Sequence, residues 1–176
     1  MKSDSFLLRA VMAERLKRFL DKEEDDPSRQ TEEILYLESR FEDTLKLPCG
    51  DIKFRYVIDR VDRLADGTIM IIDYKTGAHD QMPKAIDKLR TMELNRENIL
   101  ENIRSFQVPL YFHFLHQKFP KEPVNAALYS LRSLDLKKFI NGKTAATREE
   151  IDNFFLGCLN FVLEEILNPD IPFARN

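Results

Sequence analysis

The sequence predicts an α/β protein in which a mixed sheet carries helices on its flanks, in the order α-β-β-β-α-β-α. Three observations predict it. Strand-like runs at 34–47, 53–64 and 68–76 follow one another with only the turn signals PCGD and ADG between them. A helix-like stretch near 106–119 then precedes a further strand-like run, VNAALYSL (124–131), which is the spacing of a crossover rather than a hairpin. Helical periods open and close the chain, and no repeat or low-complexity tract interrupts it. At 176 residues, with 43% hydrophobic residues and 13 Phe, the chain suits one domain with a real core. That domain divides into an N-terminal helix and linker (1–30), a core (34–131) and a C-terminal helix (147–168).

Each element has its own signature. Phe6, Leu7, Ala10, Val11, Ala13, Leu16, Phe19 and Leu20 recur at helical spacing, which predicts a helix over about 5–22, followed by a solvated linker, KEEDDPS. In ILYLESRFEDTLKL (34–47), Leu35, Leu37, Phe41, Leu45 and Leu47 share one parity, as a half-buried strand requires. KFRYVIDRVDRL (53–64) is the second strand. TIMIIDYKT (68–76) is apolar enough to be central. The polar stretch 80–103 reads as helical pieces. Ser105 is placed to cap a helix through Phe119, with Pro109 tolerated because it falls in the first turn. Thr147 and Glu150 form a T-x-x-E capping box for a last helix to about Leu167, closed by Asn168-Pro169.

Composition narrows the function classes. No stretch approaches the ~20 apolar residues that cross a bilayer, and the start is amphipathic rather than a signal peptide. Cys49 and Cys158 lie far apart, with no CxxC spacing, which predicts neither a disulfide framework nor a zinc or iron–sulfur site. A reduced, intracellular (cytoplasmic) protein with no membrane partner is the expectation. The net charge of -3 argues against a generic basic nucleic-acid binder. Its distribution is uneven: 104–148 holds 8 Lys or Arg, among them Arg104, Lys137 and Lys138, against 2 acidic residues. On charge alone a solvated face explains that excess as well as a phosphate-binding surface does.

IIDYKTG (71–77) ends an apolar strand with Asp73 and Lys75 on one face and Tyr74 on the other. By itself this is an ordinary salt-bridged strand end. The ADG turn makes it more interesting. A two-residue Asp66-Gly67 turn would pair Asp59 with Tyr74, whereas a three-residue turn with Gly67 left-handed pairs Asp59 with Asp73. X-Asp-Gly suits the second. Like charges facing each other across strands are destabilising, so a shared proton or a bound cation is needed to explain them. A neighbouring ammonium favours the cation, and oxygen-only ligands suit Mg²⁺ or Mn²⁺.

The pieces YVIDRVD (56–62), DYKTG (73–77) and QVPLY (107–111), in this order and spacing, resemble the nuclease domain of the PD-(D/E)xK superfamily, in its RecB/AddB-type branch. The resemblance implies a restriction-endonuclease-like core and a metal-dependent deoxyribonuclease, a DNA exonuclease on single strands or duplex ends in recombinational repair. It implies DNA as partner, a helicase in the same parent protein or complex, and Mg²⁺ or Mn²⁺ as cofactor. Residue by residue, Asp59 and Asp73 resemble the metal ligands and Lys75 the charge-stabilising lysine. Gln107 and Tyr111 resemble the pair that closes the site against nucleic acid, with Arg104, Lys137 and Lys138 in the basic region beside them. Glu38, in LESRF (37–41), matches a family glutamate as a third ligand and reads equally well as an ordinary strand glutamate. Arg60 and Asp62 are expected to pair behind the active face. Tyr56 stands where the motif has glycine, and the branch's iron–sulfur cysteines are absent from this chain. A catalytically inactive module on the same fold, binding DNA or a partner protein, is the alternative.

Overall fold

The computed structural model describes residues 2–25, 30–77, 82–142 and 144–171, with side chains in the first helix from residue 9 onward. A five-stranded mixed sheet in the order β1-β2-β3-β4-β5 is flanked by helices. The fold class is the predicted α/β arrangement and is consistent with a restriction-endonuclease-like fold. β1 (Thr31–Leu47), β2 (Gly50–Leu64) and β3 (Ile69–Lys75) form an antiparallel meander. Helices α2 (Ile86–Leu89), α3 (Arg96–Asn102) and α4 (Gln107–Lys118) then carry the chain over to β4 (Val124–Ser130), which runs parallel to β3. A short antiparallel strand, β5 (Asp135–Lys138), forms the far edge, and α5 (Arg148–Leu167) closes the described chain.

Packing on the two faces follows the alternation of β3. Ile69 and Ile71 face α4 and pack with Val108, Tyr111, Phe112 and Leu115. Met70 and Ile72 face the other way, where Tyr129 and Phe19 of α1 (Lys2–Asp25) complete a smaller cluster. A third cluster joins α2 and α3 to Ile151, Phe155 and Cys158 of α5. β3 is buried on both sides over residues 69–73, which makes it central as its apolar run predicted. Thr147 Oγ1 accepts the Glu150 N–H at 3.1 Å and Glu150 Oε2 accepts the Thr147 N–H at 2.7 Å, so the predicted capping box is present.

Several local expectations are corrected. α1 continues to Asp25 through the first residues of the predicted linker; residues 26–29 lie outside the described ones. Among its described side chains the apolar positions do not form one buried face, since Val11, Leu16 and Leu20 remain exposed and Phe19 makes the contact with the sheet; the side chains of Phe6 and Leu7 lie outside the described ones. Ser105 is not the helix cap. Phe106 takes that place without a side-chain bond, while Ser105 Oγ accepts the Gln107 N–H at 3.2 Å. Leu37 is exposed although its parity predicted burial, because Glu38 adopts a left-handed φ of 45° and breaks the alternation of β1. β5 carries one apolar residue, Leu136, in four, too little for a strand signal.

Candidate active site at the end of β3

Pairs Arg60–Ile72, Val61–Ile71, Asp62–Met70 and Arg63–Ile69 fix the β2–β3 register as the one a three-residue turn dictates, and Gly67 has φ +81°. The ladder stops one step short of Asp59 and Asp73. Ile58 and Val61, three apart, both pack on the α4 face, so the alternation of β2 slips over Asp59 and Arg60. Asp59 is therefore not the flat cross-strand partner of Asp73. Its Oδ2 instead accepts the Tyr74 backbone N–H at 2.8 Å, the donor an unbroken ladder would give to a β2 carbonyl.

Asp73 is 4% exposed on the α4 face. Lys75, two residues on and on the same side, places Nζ 2.7 Å from Asp73 Oδ2. Gln107 and Tyr111, four apart on α4, meet them there. Lys75 Nζ donates to Gln107 Oε1 at 2.8 Å. Gln107 Nε2 donates to Asp73 Oδ1 and to the Tyr111 hydroxyl, both at 2.9 Å. The Tyr111 O–H donates to the Val57 carbonyl at 2.7 Å. Both ends of the amide are thus assigned by their partners: its oxygen must face the ammonium and its nitrogen the carboxylate.

Burial pushes the Asp73 carboxyl above its usual range; Lys75 opposes that shift and the Asp59 charge adds to it. Burial likewise raises Tyr111, so its hydroxyl is a stable donor. The ion pair from Lys75 lacks the alignment of a hydrogen bond, and no other described donor is aimed at Asp73 Oδ2. A buried carboxylate oxygen with a free lone pair is the kind of atom that a hard cation takes. Among the described residues no three His, Cys, Asp or Glu side chains gather as a metal-holding group. Glu38 of β1 stands opposite Asp59 of β2, between the pairs Leu37–Arg60 and Ser39–Ile58, and both residues line a cavity beneath α1.

The remaining predicted residues disperse. Lys137 lies in the same transverse row as Asp73, through Leu128 of β4, whereas Lys138 alternates to the opposite face and lines a small space with Asp62 and Met70. The two lysines therefore do not share one surface. Arg104 is exposed at a φ of 63° between α3 and α4, its Nε on the Glu101 carbonyl at 3.2 Å. Arg60 pairs with Asp62 at 2.7 Å, behind the active face as expected, and also with Glu23 of α1 at 3.2 Å. Tyr56, in the motif's glycine position, stacks on Phe114 at 5.0 Å and lies 5.7 Å from Tyr111. Its hydroxyl donates to Asp43 at 2.7 Å. It supports Tyr111 from behind, a role that the sequence pattern did not signal. Sequence reasoning also missed Arg15 and Arg132 at the cavity under α1; for Arg15 the available signal was a cation flanked by Met12, Leu16 and Phe19 at helical spacing.

Among the described residues no helix is long and apolar enough to cross a membrane. No curated protein matches the chain. A family model, that of the PD-(D/E)XK nuclease superfamily, matches residues 3–176. With Asp73, Lys75 and their closing pair assembled at the end of a central strand of a fold consistent with that of restriction endonucleases, and nearly the whole chain matched, the protein belongs to the PD-(D/E)XK nuclease superfamily.

Proposed function

We propose that the chain is a metal-dependent deoxyribonuclease of the RecB/AddB-type branch, an exonuclease acting on single strands or duplex ends in recombinational repair. The closed set of Asp73, Lys75, Gln107 and Tyr111 carries this reading, because it fixes an ammonium beside a buried carboxylate at the end of a central strand. Nucleases of this superfamily typically use divalent metals. The residues present fit one: Asp73 Oδ2 is buried without an aligned donor, and Asp59 supplies a second carboxylate from the adjoining strand. Mg²⁺ or Mn²⁺ is commonly held by one or two carboxylates plus water, so a third protein ligand is not required; Glu38 is the candidate if there is one. When bound, such an ion supplies charge neutralisation and a water of lowered pKa.

The chain's own groups supply the rest. Lys75, anchored through Gln107 Oε1, holds a positive charge where negative charge builds on a phosphodiester. Gln107 keeps Asp73 oriented, and Tyr111 ties α4 to the β2 backbone at Val57 through a 2.7 Å bond, so α4 cannot move away from β2 without breaking it. A helicase in the same parent protein or complex and an intracellular compartment belong to the same proposal. The alternative, a binding module that does not cut, draws on one observation: Asp73 already has both Lys75 and Gln107 as partners without a metal.

The test is digestion of linear single- and double-stranded DNA, with 5′ or 3′ ends blocked, in Mn²⁺, in Mg²⁺ and in chelator. Cutting is expected only with metal, and Lys75→Ala is expected to lower it about 10²–10³-fold. Metal-induced thermal stabilisation should survive in Lys75→Ala and vanish in Asp73→Asn. Wild type that shows neither a metal shift nor cutting would establish the binding module instead.

A further inference from the structure

A cavity of about 630 Å³ lies between α1 and the sheet, on the face away from α4. Its wall is Met12, Leu16 and Phe19 of α1 against Tyr74, Leu131 and Leu134 of the sheet side. Glu38 and Asp59 line it where it meets the end of β3, and Arg15 and Arg132 line it as well. None of the four apolar residues Met12, Leu16, Leu131 and Leu134 is fully buried, so the cavity opens to solvent. Asp59 is the link: it lines this cavity where the cavity meets the end of β3, and its charge is felt by Asp73 and Tyr111. The slip in β2 alternation described above is what sets Asp59 at that junction.

We propose that this cavity binds one unpaired nucleotide of a DNA strand, with its base against Phe19 and Tyr74 and its phosphates on Arg15 and Arg132, and that it thereby restricts the enzyme to unpaired ends. The proposal rests on the nuclease reading above and names the substrate form that reading would take. Size supports it, since ligand sites commonly enclose about 300–1,000 Å³. The lining supports it too. Phe19 and Tyr74 lie edge to face with centroids 6.0 Å apart, presenting aromatic surface of the kind on which bases of single strands stack without sequence preference. Arg15 and Arg132 are exposed, and among the described residues neither engages an ion pair or a side-chain hydrogen bond. Two uncommitted guanidiniums beside an apolar cavity suit a ligand with a flat apolar part and an anionic part. α1 roofs the cavity and is tied down by Glu23 to Arg60 and by Lys22 to the Leu134 carbonyl. A base still in a duplex cannot enter beneath that roof without unpairing.

The chain has no tryptophan, so one introduced at the cavity is a unique reporter. Leu16→Trp is made at an exposed position, with Met12→Trp as a second reporter so that a local disturbance at one site does not decide the matter. Each is titrated with a short oligothymidylate and with a closed-ended duplex hairpin, in chelator, where no cutting interferes. Saturable quenching by the oligothymidylate and none by the hairpin is expected. Arg15→Ala with Arg132→Ala should weaken that binding at least tenfold. It should also reduce the slope of log affinity against log salt by about 1.4, at about 0.7 per phosphate contact on a single strand. Equal quenching by the hairpin, or no quenching by either DNA in both reporters, overturns the proposal. Digestion by the wild-type protein in Mn²⁺ separates the two failures. Cutting without quenching removes the cavity and leaves the nuclease, whereas absence of both removes the nuclease reading as well.

Discussion

At the level of single residues, the site is an arrangement in which charge is held against its own preference. Asp73 sits where burial disfavours its ionised form, and Lys75 only partly offsets this. A carboxyl whose folded pKa is raised stabilises the fold fully below its unfolded pKa and loses that contribution as pH rises through the folded value. In chelator, Asp73→Asn is therefore expected to be at least as stable as wild type at neutral pH. That advantage should shrink to nothing as pH falls towards the ordinary carboxylate range near 4, as urea melts along a pH series would show. A wild type that outlasts the variant at neutral pH would mean that Lys75 and Gln107 more than compensate for burial. The residue types of this site were legible because D-x-K on a strand and Q-x-x-x-Y on a helix place side chains by period alone. The kink at Glu38 and the turning of Asp59 onto the Tyr74 N–H were not, since both depend on how three strands part company.

Elements follow the local code where turn and cap chemistry decides and depart from it where packing does. Gly67 at φ +81° and Asp66 Oδ1 accepting the Thr68 N–H at 2.8 Å shape the β2–β3 turn, and with it the register of the site. A Cβ at Gly67 would meet nothing within 4 Å, so Gly67→Ala carries a purely conformational cost of about 1–2 kcal/mol. Thr147→Ala, which removes the cap of α5, should cost about 1 kcal/mol. Both are checked by chemical denaturation; a Gly67→Ala loss well beyond that range would mean that the turn had slipped rather than strained. β5 and the exposed apolar flank of α1 have no comparable local code. One is a four-residue edge recruited by β4, and the other leaves Val11, Met12, Leu16 and Leu20 exposed among its described side chains.

Across the whole molecule, the sheet and α4 share a dense core, while α1 is attached at its C-terminal half by Phe19, Lys22 and Glu23. Stability should therefore be graded. In hydrogen exchange, amides of α1 are expected to open well before those of β3 and β4, and Phe19→Ala should release α1 while leaving protection of β3 unchanged. Loss of protection spreading into β3 would show that α1 is part of the cooperative core. The predicted α/β class survived because alternation and turn signals define a meander and a crossover, whereas the seat of α1 depends on three side chains that no period distinguishes. The bridge made by Gln107 has a bearing on when the candidate site is assembled. Synthesis delivers domains from the N-terminus, so β2 and β3 are made before α4. Until α4 is complete and lies on the sheet, Lys75 lacks the amide that holds it and Asp73 lacks the one that orients it. A half-made chain therefore carries Asp73 and Lys75 without the amide that joins them, and the candidate site is assembled only when α4 has folded onto the sheet.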